Sequence, residues 1–261
     1  MQLGIWVLAA VILILDTADA GSCQSRKRTL STTTTARKTS NAPTTAKPVF
    51  RHDFRKGDQV IVKTAAKLAV KGKGTVGSVT PGQVLNVAAV NDRWLWVKTS
   101  PPGWLDAEDV TSLRQHVQNL TRRGLQELAN RQFTAAAATF TDILKLDPDD
   151  TGAMMSRGEA QLGLQHDGAA LTDFESVLSF NPRHASALGG RAKVLAHRGE
   201  HDAAIVELSL ALRLAVRSSE KADLHQERSD VWLAKRDFAA AAADREMAAR
   251  LEPQNAYRWN S

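Results

Sequence analysis

With 261 residues, 43% of them hydrophobic and 24% charged, the chain is long enough for one large domain or two smaller ones and apolar enough to build a core. Its formal charge of +6 does not mark a surface that reads nucleic acid: Arg26, Lys27, Arg28, Arg37, Lys38 and Lys47 lie together between Gln24 and Pro48, a segment without acidic residues, and equal the whole excess. The single cysteine, Cys23, excludes an intramolecular disulfide, so packing alone must hold the folded parts.

Residues 1–20 carry an apolar run from Leu3 to Leu15 and end in Ala18-Asp19-Ala20, a small-x-small pattern. The run is too short to span a bilayer comfortably and reads as a secretory signal peptide, although no Lys or Arg precedes it and Asp16 follows it. Ala20-Gly21-Ser22-Cys23 resembles a bacterial lipobox, with Ala20 where that pattern prefers Leu, which makes Cys23 a candidate for lipidation. Simple secretion, a lipid anchor on Cys23 and a retained anchor stay open; each places the chain as secreted, periplasmic or associated with the cell envelope. Residues 21–49 are Thr-rich, punctuated by Pro43 and Pro48, and nearly devoid of large apolar groups. Such a segment cannot bury enough surface to offset its ordering entropy, so a disordered basic tether is expected.

Between residues 54 and 112 the pattern becomes short and alternating, with Val and Trp enriched and Gly, Pro, Asn and Asp between the runs. It predicts five or six short strands of a small all-β barrel. Within it, VKGKGTVGSV (70–79) fits the glycine spacing of a phosphate-cradling loop. A dinucleotide site needs a helix directly after those glycines, and a kinase loop needs a following lysine strand; here Ser78-Val79-Thr80-Pro81-Gly82 turns into another strand without that lysine. The glycines therefore belong to a loop between strands. Gly57 to Val62, Leu68, Gly77-Ser78-Val79, Gly82, Val84 to Val87, Trp94 to Val97 and Gly103-Trp104-Leu105 together resemble the bacterial Src-homology-3-type (SH3-like) domain. The resemblance implies a barrel that binds peptides, cell-wall material or a neighbouring domain, without a catalytic role.

Alternation places Trp94 and Trp96 on one face of their strand and Leu95 and Val97 on the other. With Leu95 and Val97 in the core, the tryptophans point outward beside the loop that carries Lys71 and Lys73. They are read as a ligand platform or as packing against the helical half or the tether, and both readings stay open.

From about residue 117 the chain repeats itself. Pro148 and Pro182 mark a 34-residue step, and four blocks align, the last after an insertion of about three residues around Ser218 to Lys221. Each block predicts two amphipathic helices, with turns near Asn130, Gln165, Gly199 and Lys235. Ala136, Ala170, Ala204 and Ala241 hold a small crossing position, Phe140, Phe174 and Leu208 a large one, and Gly124, Gly158, Ala192 and Ser229 the small position of the first helix. This pattern, over 117–255, resembles the tetratricopeptide repeat (TPR), which implies an all-α solenoid. Arg245 at a large position and Val216 in place of proline depart from it, and residues 256–261, with Tyr257 and Trp259, read as a short cap.

Arg123, Arg157, Arg191 and Arg228 recur one residue before the first small position, while Asp173, Glu207 and Asp244 recur in the second helices at a matching offset. A structural arginine–carboxylate ladder between helices is the expectation. The resemblance further implies a groove lined by the first helices: Thr121, Leu125 and Leu128, then Met155, Glu159 and Leu162, then Gly189, Lys193 and His197, then Gln226 and Asp230. The Lys and Asn pattern with which chaperone-binding members clamp a C-terminal carboxylate is absent, since Thr121 and Leu125 hold those places. An amphipathic or extended peptide is the implied ligand.

His197-Arg198-Gly199-Glu200-His201 matches a metalloprotease spacing, but that motif needs one continuous helix and Gly199 falls at a turn. No metal, cofactor or catalytic residue is expected. The sequence thus predicts an exported, noncatalytic interaction scaffold, a small SH3-like barrel followed by about four tetratricopeptide repeats, with a protein or peptide partner. In the alternative, the barrel grips cell-wall polymer through Trp94 and Trp96 while the array recruits a second protein. Nucleic acid is not expected as a partner, and a membrane only through an N-terminal anchor. The short stretch from Thr111 to His116 also suggests a packed interface between the two halves.

Overall fold

A computed structural model describes residues 52–253. The expected signal peptide, the tether with Cys23, and the cap at 256–261 lie outside the described residues. The chain divides into two compact units, one ending at His116 and the other beginning at Val117.

The first unit holds seven strands: β1 (Gln59–Val62), β2 (Ala66–Val70), β3 (Gly74–Val79), β4 (Val84–Asn91), β5 (Trp94–Val97), β6 (Gly103–Asp106) and β7 (Val110–Ser112). They form one antiparallel sheet in the order β3-β2-β6-β5-β4-β1-β7. β3 and β7 stand at the two ends of this order and do not pair with each other, so the sheet is open where a closed barrel was expected. Period-two alternation sends Val60, Leu68, Val79, Leu95, Val97 and Leu105 into a shared core. The turn from Lys71 to Lys73 joins β2 to β3, with Gly72 and Gly74 at φ 81° and 71°, backbone that glycine adopts without steric cost. The strand after those glycines leads to β4, and no helix follows them directly.

β7 ends at Ser112 and α1 begins at Leu113, so the stretch read as a linker consists of strand and helix. Eight helices follow in pairs: α1 (Leu113–Ala129) with α2 (Phe133–Leu146), α3 (Thr151–Gly163) with α4 (Asp167–Phe180), α5 (Ala185–His197) with α6 (His201–Leu214), and α7 (Ser218–Ala234) with α8 (Phe238–Leu251). From α2 to α8 each helix packs on the next, and α3, α5 and α7 also touch one another across the repeats. Stacked pairs of this kind make a solenoid with one face built from the first helices.

The same turn closes every pair. Arg131, Gln165, Gly199 and Arg236 adopt φ of 58°, 61°, 80° and 61°. Their amides reach back to Leu128, Leu162, Ala196 and Leu233, and the next residue's amide reaches five residues back, to Glu127, Gln161, Leu195 and Trp232. This is a Schellman termination, repeated four times with glycine at the left-handed position only once. The proline-bearing connections are capped by side chains: Asp150 accepts from the Ala153 amide at 2.9 Å and His184 Nδ1 from the Ala187 amide at 3.2 Å.

Large residues of the second helices fill the space left by small residues of the first. A Cβ added at Gly124 would lie 2.8 Å from the Phe140 ring, and one at Gly158 2.7 Å from Phe174. Phe174 also covers Gly190 of the next repeat, where an added Cβ would come within 2.6 Å. Ala136, Ala170, Ala204 and Ala241 are all buried at the crossing points. Because the Phe174 ring is enclosed on both sides, Gly158→Ala is expected to destabilise the array by about 1–3 kcal/mol through overpacking, read as a lowered urea midpoint.

The groove of the helical array as a candidate functional site

The frame behind the groove pairs arginines of the first helices with acceptors of the second, two of the pairs through both carboxylate oxygens. Arg157 donates to both carboxylate oxygens of Asp173, Nε at 2.9 Å and Nη2 at 2.6 Å. Arg228 does the same with Asp244 at 2.8 and 2.7 Å and adds a bond from Nη1 to Ser209 Oγ at 2.9 Å. Arg191 reaches Glu207 at 2.6 Å. In the first repeat the carboxylate position is Thr139, so Arg123 donates to the Thr139 hydroxyl at 2.8 Å, and that hydroxyl donates to Glu127 at 2.7 Å. Asp173 and Asp244 are each 4% exposed. Burial works against charge on Asp244, but hydrogen bonds from Arg228 and from His225 Nδ1, at 2.8 Å, more than offset it and hold the carboxyl below the usual range. The bond to Asp173 likewise holds the Arg157 guanidinium above its usual range.

The groove face is different. Leu125, Glu159, Lys193 and Asp230 occupy the same register position in α1, α3, α5 and α7: the first two steps equal the repeat and the third adds the insertion around Ser218 to Lys221. Lys193, its side chain 37% exposed, donates from Nζ to Glu227 Oε1 at 2.6 Å. Glu227 lies one helical turn before Asp230, and Gln226 Nε2 donates to Asp230 Oδ1 at 3.0 Å. Burial, together with Glu227 and Asp223, pushes the Glu159 carboxyl up despite the opposing pull of Lys193. Burial and Glu227 push Asp230 up as well, against Arg245 and Gln226. Burial disfavours the Lys193 ammonium, yet Glu227 and Glu159 outweigh it and hold it above the usual lysine range.

The other groove residues divide. Met155 and Leu162 are half-buried and pack partly on the helical core. Leu128 is only 9% exposed, so it belongs to the helix packing and offers no ligand surface. His197 Nδ1 lies 3.1 Å from Asp167 Oδ1, tying the end of α5 to the start of α4. His197 and His201 fall on different helices, and among the described residues no group of three or more His, Cys, Asp or Glu could hold a metal ion. Glu227 was not among the residues expected in the groove; its separation from Lys193, equal to one repeat, was the available signal.

In the sheet, Trp94 is 39% exposed, with the Arg93 guanidinium 5.7 Å from its ring centroid. Trp96 is half-buried and meets Trp104 edge to face at 5.2 Å, a partner absent from the sequence reading. Register places Trp96 opposite Trp104 and Trp104 opposite Ala69, so the Lys71–Lys73 turn lies beyond the Val97 end of β5. Trp94, opposite Asp106, stands at the other end, away from both lysines.

The tetratricopeptide repeat family model matches residues 121–170 and 168–215. Residues 121–215 of the helical array thus match tetratricopeptide repeats. Over 104 residues the chain is 36% identical to the tetratricopeptide repeat and J domain-containing co-chaperone DNJ1 of Cryptococcus neoformans var. grubii, a match covering 40% of this chain and 19% of that protein. The chain thus spans about a fifth of that relative's length. Among solved structures, the tetratricopeptide repeat protein TTC0263 of Thermus thermophilus is 26% identical at a TM-score of 0.48, covering 52% of this chain and 75% of that one. PilF of Pseudomonas aeruginosa is 18% identical at a TM-score of 0.48, covering 54% and 63%.

Two outcomes follow from the contrast between frame and groove. Asp244, with its lowered pKa, contributes stability that is present above the ordinary aspartate pKa and lost as pH falls through its folded value; Asp244→Asn should flatten the acid limb of the melting curve below about pH 4. Glu159, with its raised pKa, penalises the fold above that value, so Glu159→Gln should raise the melting temperature at pH 7.

Proposed function

We propose that the repeats bind an extended peptide segment of another protein along the face formed by α1, α3, α5 and α7, and that the chain acts as a noncatalytic scaffold. One observation carries this reading. The pairs Arg157–Asp173 and Arg228–Asp244 satisfy both carboxylate oxygens, whereas the row Leu125, Glu159, Lys193 and Asp230 is half-exposed and its carboxyls are pushed up by burial and by neighbouring carboxylates. The match to the repeat family and the relation to a co-chaperone support a protein-binding role. The apolar run and small-x-small pattern of residues 1–20 support export to the envelope. The sheet fits a Src-homology-3-type module as a second binding unit, on its short antiparallel strands and its glycine and tryptophan elements.

A photo-crosslinking residue placed at Leu125, on the groove face, is expected to capture a discrete partner from native extract, while the same residue at Glu175, exposed on a second helix, captures none. Adducts only at position 175, or at neither position, would contradict the reading. The exposure of Trp94 favours a second reading, in which the sheet grips wall polymer. Co-sedimentation with purified wall material, lost on Trp94→Ala with Trp96→Ala, would support it, and unchanged sedimentation would dismiss it.

A further inference from the structure

We propose that one edge of the helical array, away from the groove, docks on an anionic lipid surface. The edge is made by the connection from α4 to α5 and the connection from α6 to α7. These lie side by side: Ser186, in the first turn of α5, donates from Oγ to Glu220 Oε1, in the first turn of α7, at 2.6 Å. The edge displays two large apolar side chains that the helix packing leaves out. Phe180 is 56% exposed, whereas Leu146, Leu214 and Leu251, at its position in the other repeats, are half-buried. Val216, where two of the other connections carry Pro148 and Pro182, is 88% exposed.

The charge around these two residues has one sign. Arg183, Arg213 and Arg217 lie within three residues of Phe180 or Val216; all three are exposed, and none has an ion pair among the described residues. No Asp or Glu occurs from Ser176 to Gly199 or from Leu208 to Ser219. Glu220, the next carboxylate, is half-buried and already accepts from Ser186. Moreover, α7 begins at this edge without the side-chain cap that Asp150 and His184 give α3 and α5, so its dipole adds to the positive potential. The opposite edge is mixed: Arg198 is followed there by Glu200 and Asp202, and Asp202 pairs with Lys235. The connection from α2 to α3, with Asp147, Asp149 and Asp150, bounds the basic patch on its own edge. Arginines without partners fit an anionic surface, and apolar side chains protruding from helix ends and turns fit one that takes them in without a preformed pocket. A layer of anionic headgroups over acyl chains offers both, whereas a folded acidic partner would need pockets matched to Phe180 and Val216. The segment from Gln24 to Pro48, basic and without carboxylates, would be drawn to the same surface.

The test uses the full chain with Cys23→Ser, so that a single introduced cysteine carries a polarity-sensitive nitrobenzoxadiazole label. With Val216→Cys as the labelled site, vesicles of phosphatidylcholine and phosphatidylglycerol in equal parts should shift the emission to the blue, and vesicles of phosphatidylcholine alone should not. With Glu200→Cys, exposed on the opposite edge, neither should. Partitioning of the chain onto the anionic vesicles, followed by co-sedimentation, should weaken about fivefold on each of Arg183→Gln, Arg213→Gln and Arg217→Gln, and added salt should weaken it further. Unchanged helical circular dichroism separates these effects from unfolding. Emission at position 216 that ignores the anionic vesicles, labels at 216 and 200 that respond alike, or a triple arginine variant that partitions as well as the unaltered chain would overturn the proposal and leave any vesicle binding to the basic N-terminal segment. A shift at position 216 with soluble polyglutamate and none with vesicles would assign the edge to an acidic protein and would also overturn it.

Discussion

One aromatic ring organises the centre of the helical unit. Phe174 projects from α4 into space that exists only because Gly158 in α3 and Gly190 in α5 carry no side chain. A single buried contact therefore keys three helices and crosses the boundary between repeats, which brings the first helices side by side. Phe140 fills the space beside Gly124 within the first repeat, and Leu208 and Ala192 share the buried core of the third. At the last repeat the large position is Arg245 and its counterpart is Ser229, which bonds the Ala241 carbonyl at 3.0 Å. The apolar key gives way to polar groups where the groove charge is greatest.

Behind the groove, each frame arginine has an acceptor sixteen residues on, in the second helix of its own repeat. The buried Asp173 and Asp244 carboxylates are tolerated because their arginines donate to both oxygens of each. In the groove, Lys193 is contested by several carboxylates, and burial pushes the Glu159 and Asp230 carboxyls up.

Much of the helical unit was legible because its determinants are local and periodic. Small and large residues recur at the repeat step, and all three expected ladder carboxylates, Asp173, Glu207 and Asp244, meet their arginines. Arg123 had no expected partner, and Thr139 relays it to Glu127. The turns were legible to within one residue: the left-handed positions are Arg131 and Arg236, where the reading centred on Asn130 and Lys235, because three of the four turns carry no glycine to mark them. Leu128 showed that register alone does not separate groove from core, since burial depends on the neighbouring helix. The sheet was harder. Trp96 and Trp104 meet through the pairing of β5 with β6, and the opening between β3 and β7 depends on strand order; neither is written in local alternation.

The most direct measurement of the central claim, that the groove is short of positive charge while the frame is not, is a carbon-detected NMR titration of the Glu159 carboxyl in the full chain. The account predicts a midpoint above the ordinary glutamate range. A midpoint at or below that range would show that the groove already holds all the cations it needs, and would contradict the account.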